Sequence, residues 1–146
     1  MRLSSLLLAS LVSLPVVAQG TKPPPNIFGL YSERVAVCFV VPGTDKTKCE
    51  GDTANWILIA PLSNSHAHVQ VNLTFFNGHS CEFQGFGKWD KGHISANPAD
   101  PDVECRLKVR FKGNKAILSD DGQCKAHSCG LRGGFDGIEL PKRGSM

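Results

Sequence analysis

The five histidines are the first residues to question for chemistry, because imidazole changes charge near neutral pH and ligates metals. His66 and His68 are two apart, so an extended segment would place both on one face, where a metal could be shared. No Asp, Glu or third His stands at a spacing that would complete such a set. His79 and His93 fall at turn-like positions, and His127 lies between two cysteines. The enzyme this composition allows is a small exported hydrolase, nuclease-like, using two histidines and a lysine as acid, base and charge stabiliser. The spacing selects no such trio. Carboxylates are no better arranged for glycoside cleavage: Asp120-Asp121-Gly122 is a turn signature, and Glu82 and Glu104 neighbour cysteines. Neither a Gly-x-Ser-x-Gly elbow nor a phosphate loop around Gly133-Gly134 is present. The reading therefore leans away from catalysis and expects no cofactor and no metal.

Two features fit binding better. In residues 105–112, Cys105, Leu107, Val109 and Phe111 alternate with Arg106, Lys108, Arg110 and Lys112. On a strand, a period of two collects the four cations on one face within about 20 Å. Such a stripe suits an anion or an acidic protein cleft, or else it is a solvated face or a guarded sheet edge. The second feature is residues 129–137, with Gly130, Gly133, Gly134 and Gly137 around Arg132 and Asp136. Its glycines imply unusual backbone angles, and it either projects Arg132 as a finger or forms a pinned turn with Arg132 and Asp136 paired.

The elements that must position these groups are short strands. The chain has 146 residues, enough for one core, and is 41% hydrophobic and 20% charged, which excludes both a disordered chain and a multi-span membrane protein. Residues 1–18 combine Arg2, an apolar run, Pro15 and Val16-Val17-Ala18, the pattern of a cleaved secretory signal peptide, so no membrane span is expected after its removal. Removal of Arg2 leaves 15 basic residues against 13 acidic, a charge of +2 that gives no reason to expect nucleic acid binding. Residues 19–26, with Pro23-Pro24-Pro25, read as an extended leader. Strands are expected at residues 31–41, 56–60, 68–76, 80–89, 105–112, 115–119 and 135–140. Asn77-Gly78 marks a hairpin, Gly85 and Gly87 a bulge or bend, and residues 44–52 a loop tethered to Cys38. Tyr31, Trp56 and Trp89 are read as core, with contact to a sugar or a partner as the alternative. Asn72-Leu73-Thr74 matches a glycosylation sequon inside a strand. The expected fold is all-β: a small antiparallel sheet, sandwich or partly closed barrel, one domain over residues 27–146 with a loose end beyond Pro141.

Cys38, Cys49, Cys81, Cys105, Cys124 and Cys129 form an even set in an exported chain, so three disulfides are expected and a zinc site is not. Loop geometry alone favours sequence neighbours: 38 with 49, 81 with 105, and 124 with 129.

The signal peptide, the strand Cys105-Arg106-Leu107-Lys108-Val109-Arg110-Phe111, the turn Asp121-Gly122-Gln123-Cys124 and the segment from Cys129 to Gly137 resemble small bacterial periplasmic β-domain proteins. More distantly they resemble periplasmic inhibitors of lysozyme. The Ser-Gly-x-x-Tyr pattern that inhibitors of c-type lysozyme insert into the enzyme is missing, so no family site residue is carried over. The resemblance implies a periplasmic or secreted, non-catalytic binding or inhibitory module whose partner is a protein such as a cell-wall hydrolase. The candidate contacts come from the basic stripe and the glycine-rich segment, and they are Arg106, Lys108, Arg110, Lys112, Arg132 and Asp136. A structural envelope protein is a third reading.

Overall fold

The computed structural model describes residues 22–120 and 123–145. The signal-peptide reading of residues 1–18 falls outside them. The chain forms a closed barrel of eight antiparallel strands in sequence order: β1 (Gly29–Val40), β2 (Thr47–Pro61), β3 (His66–Thr74), β4 (Ser80–Asp90), β5 (His93–Pro98), β6 (Leu107–Lys112), β7 (Lys115–Asp120) and β8 (Glu139–Ser145). A short helix, α1 (Cys124–Ser128), lies between β7 and β8. Closure comes from β8 pairing with β1 through Gly29↔Ser145 and Leu30↔Gly144. The residues after Pro141 are thus the closing strand, where a loose end was expected.

Alternation drives the barrel. In β3, Ala67, Val69, Val71 and Leu73 point inward, and in β6 Leu107 and Val109 do so while the cations point out. Ile57, Ile59, Leu118 and Leu140 complete a packed interior filled by side chains. Both ends are plugged. At one, Ile27 follows the prolines and tucks beneath Tyr31, whose hydroxyl donates to the Ile27 carbonyl at 2.8 Å. Tyr31, Trp89 and Phe111 form an aromatic cluster there, with ring centroids 6.1 Å apart for both pairs made by Phe111. Toward the other end Phe135 is fully buried, edge-on to Phe83 at 6.4 Å. Phe135 is a plug reached from a loop, and the last strand starts only at Glu139.

Gly85 and Gly87 make no bulge, for β4 keeps continuous register with β3 and β5. They face the interior. A Cβ on Gly85 would lie 2.1 Å from the Asn97 carbonyl oxygen, and one on Gly87 2.3 Å from Ile94 Cγ2, so the glycines let β5 fold closely over β4. β5 was not among the expected strands, and it offers only two inward residues, Ile94 and Ala96, packed closely against the glycines of β4.

The polar stretch 44–52 also departs from expectation. Most of it is strand, the far half of a β1–β2 hairpin that runs past the barrel, since β3 pairs with β2 only from Trp56 onward. Residues 47–52 are exposed on both faces, so no hydrophobic alternation marks this half of the hairpin. Cys38 and Cys49 are register partners and form a cross-strand disulfide. Where β2 leaves β3, the buried Asn55 carboxamide accepts from the Thr74 amide at 2.7 Å, replacing a lost ladder bond.

Cys38–Cys49 forms as expected, but the other two bridges are Cys81–Cys129 and Cys105–Cys124. The pairing 81 with 105 fails because β5 is inserted between β4 and the approach to β6. Cys81 precedes the stretch of β4 covered by β5, and its free flank meets Cys129 in an isolated bridge. Cys124 and Cys129 sit at opposite ends of α1 and turn to different neighbours. All six cysteines are bonded.

Candidate docking surface

The up-and-down topology sorts the connections. Residues 62–65, 91–92 and 113–114 are short turns at one end. At the other end lie residues 41–46, the turn 75–79, the passage 99–106 and the long connection from β7 to β8, along with all three disulfides.

Within that long connection the chain is braced step by step. The Asp136 carboxylate accepts the Asp120 amide at 2.6 Å, and the Asp120 carboxylate accepts the amides of Cys124 and Lys125 at 3.1 and 2.7 Å, capping α1. Asp136 is therefore bound to backbone, and among the described residues no ion pair joins it to Arg132. After α1, Cys129 is bonded to Cys81, and the Gly130 amide donates to the Ser80 carbonyl at 2.8 Å. The Gly133 amide then donates to the Gly130 carbonyl at 2.9 Å, closing a turn with Leu131 and Arg132 at its tip.

Backbone angle is not why Gly130 and Gly133 are glycines. Of the four glycines in this segment only Gly137 has a positive φ, at 75°. Space is the reason: a Cβ on Gly133 would meet Cys81 Sγ at 2.7 Å and one on Gly130 would meet His79 Nδ1 at 3.0 Å. The turn lies flat against β4 at its feet and free at its tip. Leu131 is 85% exposed, and Arg132 is exposed with no carboxylate within ion-pair distance among the described residues.

Other apolar side chains stand at the same end. Phe39, Val40 and Phe76 are exposed. The Val40 amide donates to Asn77 Oδ1 at 2.8 Å, and Phe39 reaches toward Gly78, which ties the hairpin extension to the 75–79 turn and so to His79 beneath Gly130. Asn77 and Gly78 both take positive φ, 59° and 68°, as a tight hairpin needs. Leu131, Phe39, Val40 and Phe76 were not singled out in the sequence. Only Leu131 carried a signal there, a large apolar residue set between Gly130 and Arg132 with no alternating partners.

Lys108, Arg110 and Lys112 share the outer wall of β6, as their alternation required, but the strand starts at Leu107, two residues later than expected, and Arg106 lies exposed in the 99–106 passage that leads into it. Ser95 and Ser119 flank Lys108, and His93 and Ile117 flank Arg110. A guarded edge is no longer a role open to them, because β6 is paired on both sides. The three ion pairs among the described residues, Arg34–Asp52, Lys48–Glu50 and Lys115–Glu139, involve none of the four. Arg132 stands apart on its own turn. The histidines are dispersed: His66 and His68 on β3, His79 beside the Leu131–Arg132 turn, His93 on β5 and His127 on α1. The described residues contain no cluster of His, Cys, Asp and Glu suited to a metal, and no helix among them is long and apolar enough to cross a membrane.

Fold and surface together define a class, a small eight-stranded up-and-down barrel with a filled interior and one disulfide-braced end. Compared with known proteins, the chain matches no family model, no curated protein and no solved structure.

Proposed function

We propose that the protein is a non-catalytic, exported binding module of inhibitory type, which docks the Leu131–Arg132 turn into the cleft of a cell-wall hydrolase. The observation that carries this reading is the exposure of Leu131 at 85%, beside an arginine that makes no ion pair among the described residues, on a turn whose base is bonded to β4 through Cys81–Cys129. A free leucine at a loop tip gives the monomer no packing energy, and it becomes useful once a partner covers it. An arginine suits a cleft whose catalytic groups are carboxylates. The disulfide lowers the ordering cost of association, because the loop is held before it binds. Phe39, Val40 and Phe76 add exposed apolar side chains at the same end of the barrel. Three disulfides and no free cysteine favour a periplasmic or secreted location.

The test is inhibition of peptidoglycan hydrolysis by lysozyme-type and other muramidases, using the oxidised protein. Wild type should inhibit at least one of these enzymes, and Arg132→Ala should raise the inhibition constant at least tenfold, about 1.4 kcal/mol. Charge reversal of Lys108 and Arg110 measures how far the wall stripe assists. Equal potency of wild type and Arg132→Ala would remove the mechanism. RNA turnover lost in His79→Ala or His127→Ala would replace it with the hydrolase reading.

A further inference from the structure

The outer wall over β1 to β4 carries a second surface, remote in sequence from the Leu131–Arg132 turn. Trp56 was expected in the core with Tyr31 and Trp89. Those two are buried, but Trp56 is only half-buried and faces outward, because Asn55 and Ile57 on either side of it are the inward residues of β2. Register aligns Ser32, Trp56, Asn72 and Glu82 across four strands, and Leu30, Leu58, Gln70 and Gln84 in the adjacent row. Two surface depressions share the indole as a wall. One, of about 340 Å³, is lined by Gln70, Asn72, Glu82 and Gln84. The other, of about 450 Å³, is lined by Leu30, Ser32, Ala54 and Leu58.

We propose that this groove binds a neutral pyranose oligosaccharide with equatorial substituents. Such a sugar has a flat C–H face and a rim of hydroxyls, and the groove offers the complement: an indole with aliphatic flanks, beside three carboxamides and one carboxylate. Gln70, Asn72, Glu82 and Gln84 make no side-chain hydrogen bond with the described residues, so their donors and acceptors are free for a ligand. Glu82 is the one ionisable side chain of the two linings, which disfavours sulfated or uronic chains. From β1 to β4 the groove crosses three strand spacings, about 14 Å, the length of two to three sugar rings. Sugar contact by an outward tryptophan requires nothing of the docking turn, so the two proposals stand or fall separately.

Ligand-observed NMR titration with chitotetraose and with cellotetraose tests it. At least one should bind saturably in the millimolar range or tighter, with Trp56→Ala weakening it at least tenfold and Gln84→Ala several-fold. The chain has two tryptophans and Trp89 is buried, so the same ligand should also shield wild-type fluorescence from an aqueous quencher through Trp56. Arg132→Ala should bind as wild type does. Absence of saturable binding to both tetrasaccharides at millimolar concentration overturns the proposal, as does binding that Trp56→Ala and Gln84→Ala leave intact.

Discussion

The two ends of the barrel are built on different principles. At the short-turn end, backbone conformation sets the structure: Lys91 and Gly92 have φ of 44° and 88°, Gly113 has 59°, and at 91–92 and 113–114 the strands reverse within two residues. Ile27 and the Tyr31 cluster seal that end with apolar packing. At the other end, apart from the tight turn at 75–79, the connections are longer, and covalent bonds brace them. The lesson is that an end relieved of setting register can carry exposed apolar and cationic side chains, provided that something else holds it. Here the disulfides and the Asp120–Asp136 network hold it.

The largest test of this difference is removal of the bridge that closes the longest loop. Cys81–Cys129 spans 48 residues, and its loss in Cys81→Ala/Cys129→Ala should cost about 4 kcal/mol in urea denaturation on loop-entropy grounds. Removing Cys38–Cys49, which spans 11, should cost less than loop entropy alone implies, because its hairpin extension can open while the barrel stays closed. Equal losses would mean that the extension is integral to the barrel.

The short-turn end should reveal itself by pH. Burial pushes the phenol of Tyr31 up to about 12 from its ordinary 10. The folded state holds this proton more tightly than the unfolded chain, so the stabilisation is complete below pH 10 and is lost as pH climbs from about 10 to about 12. At about 1.4 kcal/mol per pH unit, the loss approaches 3 kcal/mol. Tyr31 is the sole tyrosine, so absorbance at alkaline pH follows it directly, and Tyr31→Phe should flatten this part of the stability profile. A midpoint near 10 would mean that the plug at Ile27 is loose.

Glycine substitutions sharpen the contrast further. Gly133→Ala should cost about 2 kcal/mol, through contact with the Cys81 sulfur at a position whose φ is ordinary. Gly113→Ala should cost about 1 kcal/mol, through its positive φ with open space around it. The smallest effect on stability belongs to the tip itself: Leu131→Ala and Arg132→Ala should lie within about 0.5 kcal/mol of wild type in thermal unfolding.

How much of this was legible in the sequence follows the same division. β3 and β6 were readable because each has one face against the core, which imposes strict alternation, and the inward and outward residues of β6 lie as their types required. The 47–52 half of the hairpin extension was not, because strand without a buried face leaves no periodic trace, whereas its β1 half lies within the strand expected at 31–41. β5 was hidden because it offers only two inward residues, Ile94 and Ala96. The bridges of Cys81 and Cys105 depended on which strand lies between them, and that is fixed only when the barrel closes. For the candidate site, Arg132 stood out by its glycines, whereas Leu131 acquires meaning only once its exposure is seen, and Phe39 and Phe76 fall within segments expected simply as strands. Asp136 was noticed for its charge and serves the backbone.

The central claim is that a covalently held turn presents Leu131 and Arg132 to a partner. Its most direct test compares muramidase inhibition by wild type and by Leu131→Ala/Arg132→Ala, both oxidised and both verified as folded. A loss of at least a hundredfold in potency at unchanged stability is the result expected, about 2.7 kcal/mol. Inhibition retained in full by the double variant would contradict the account.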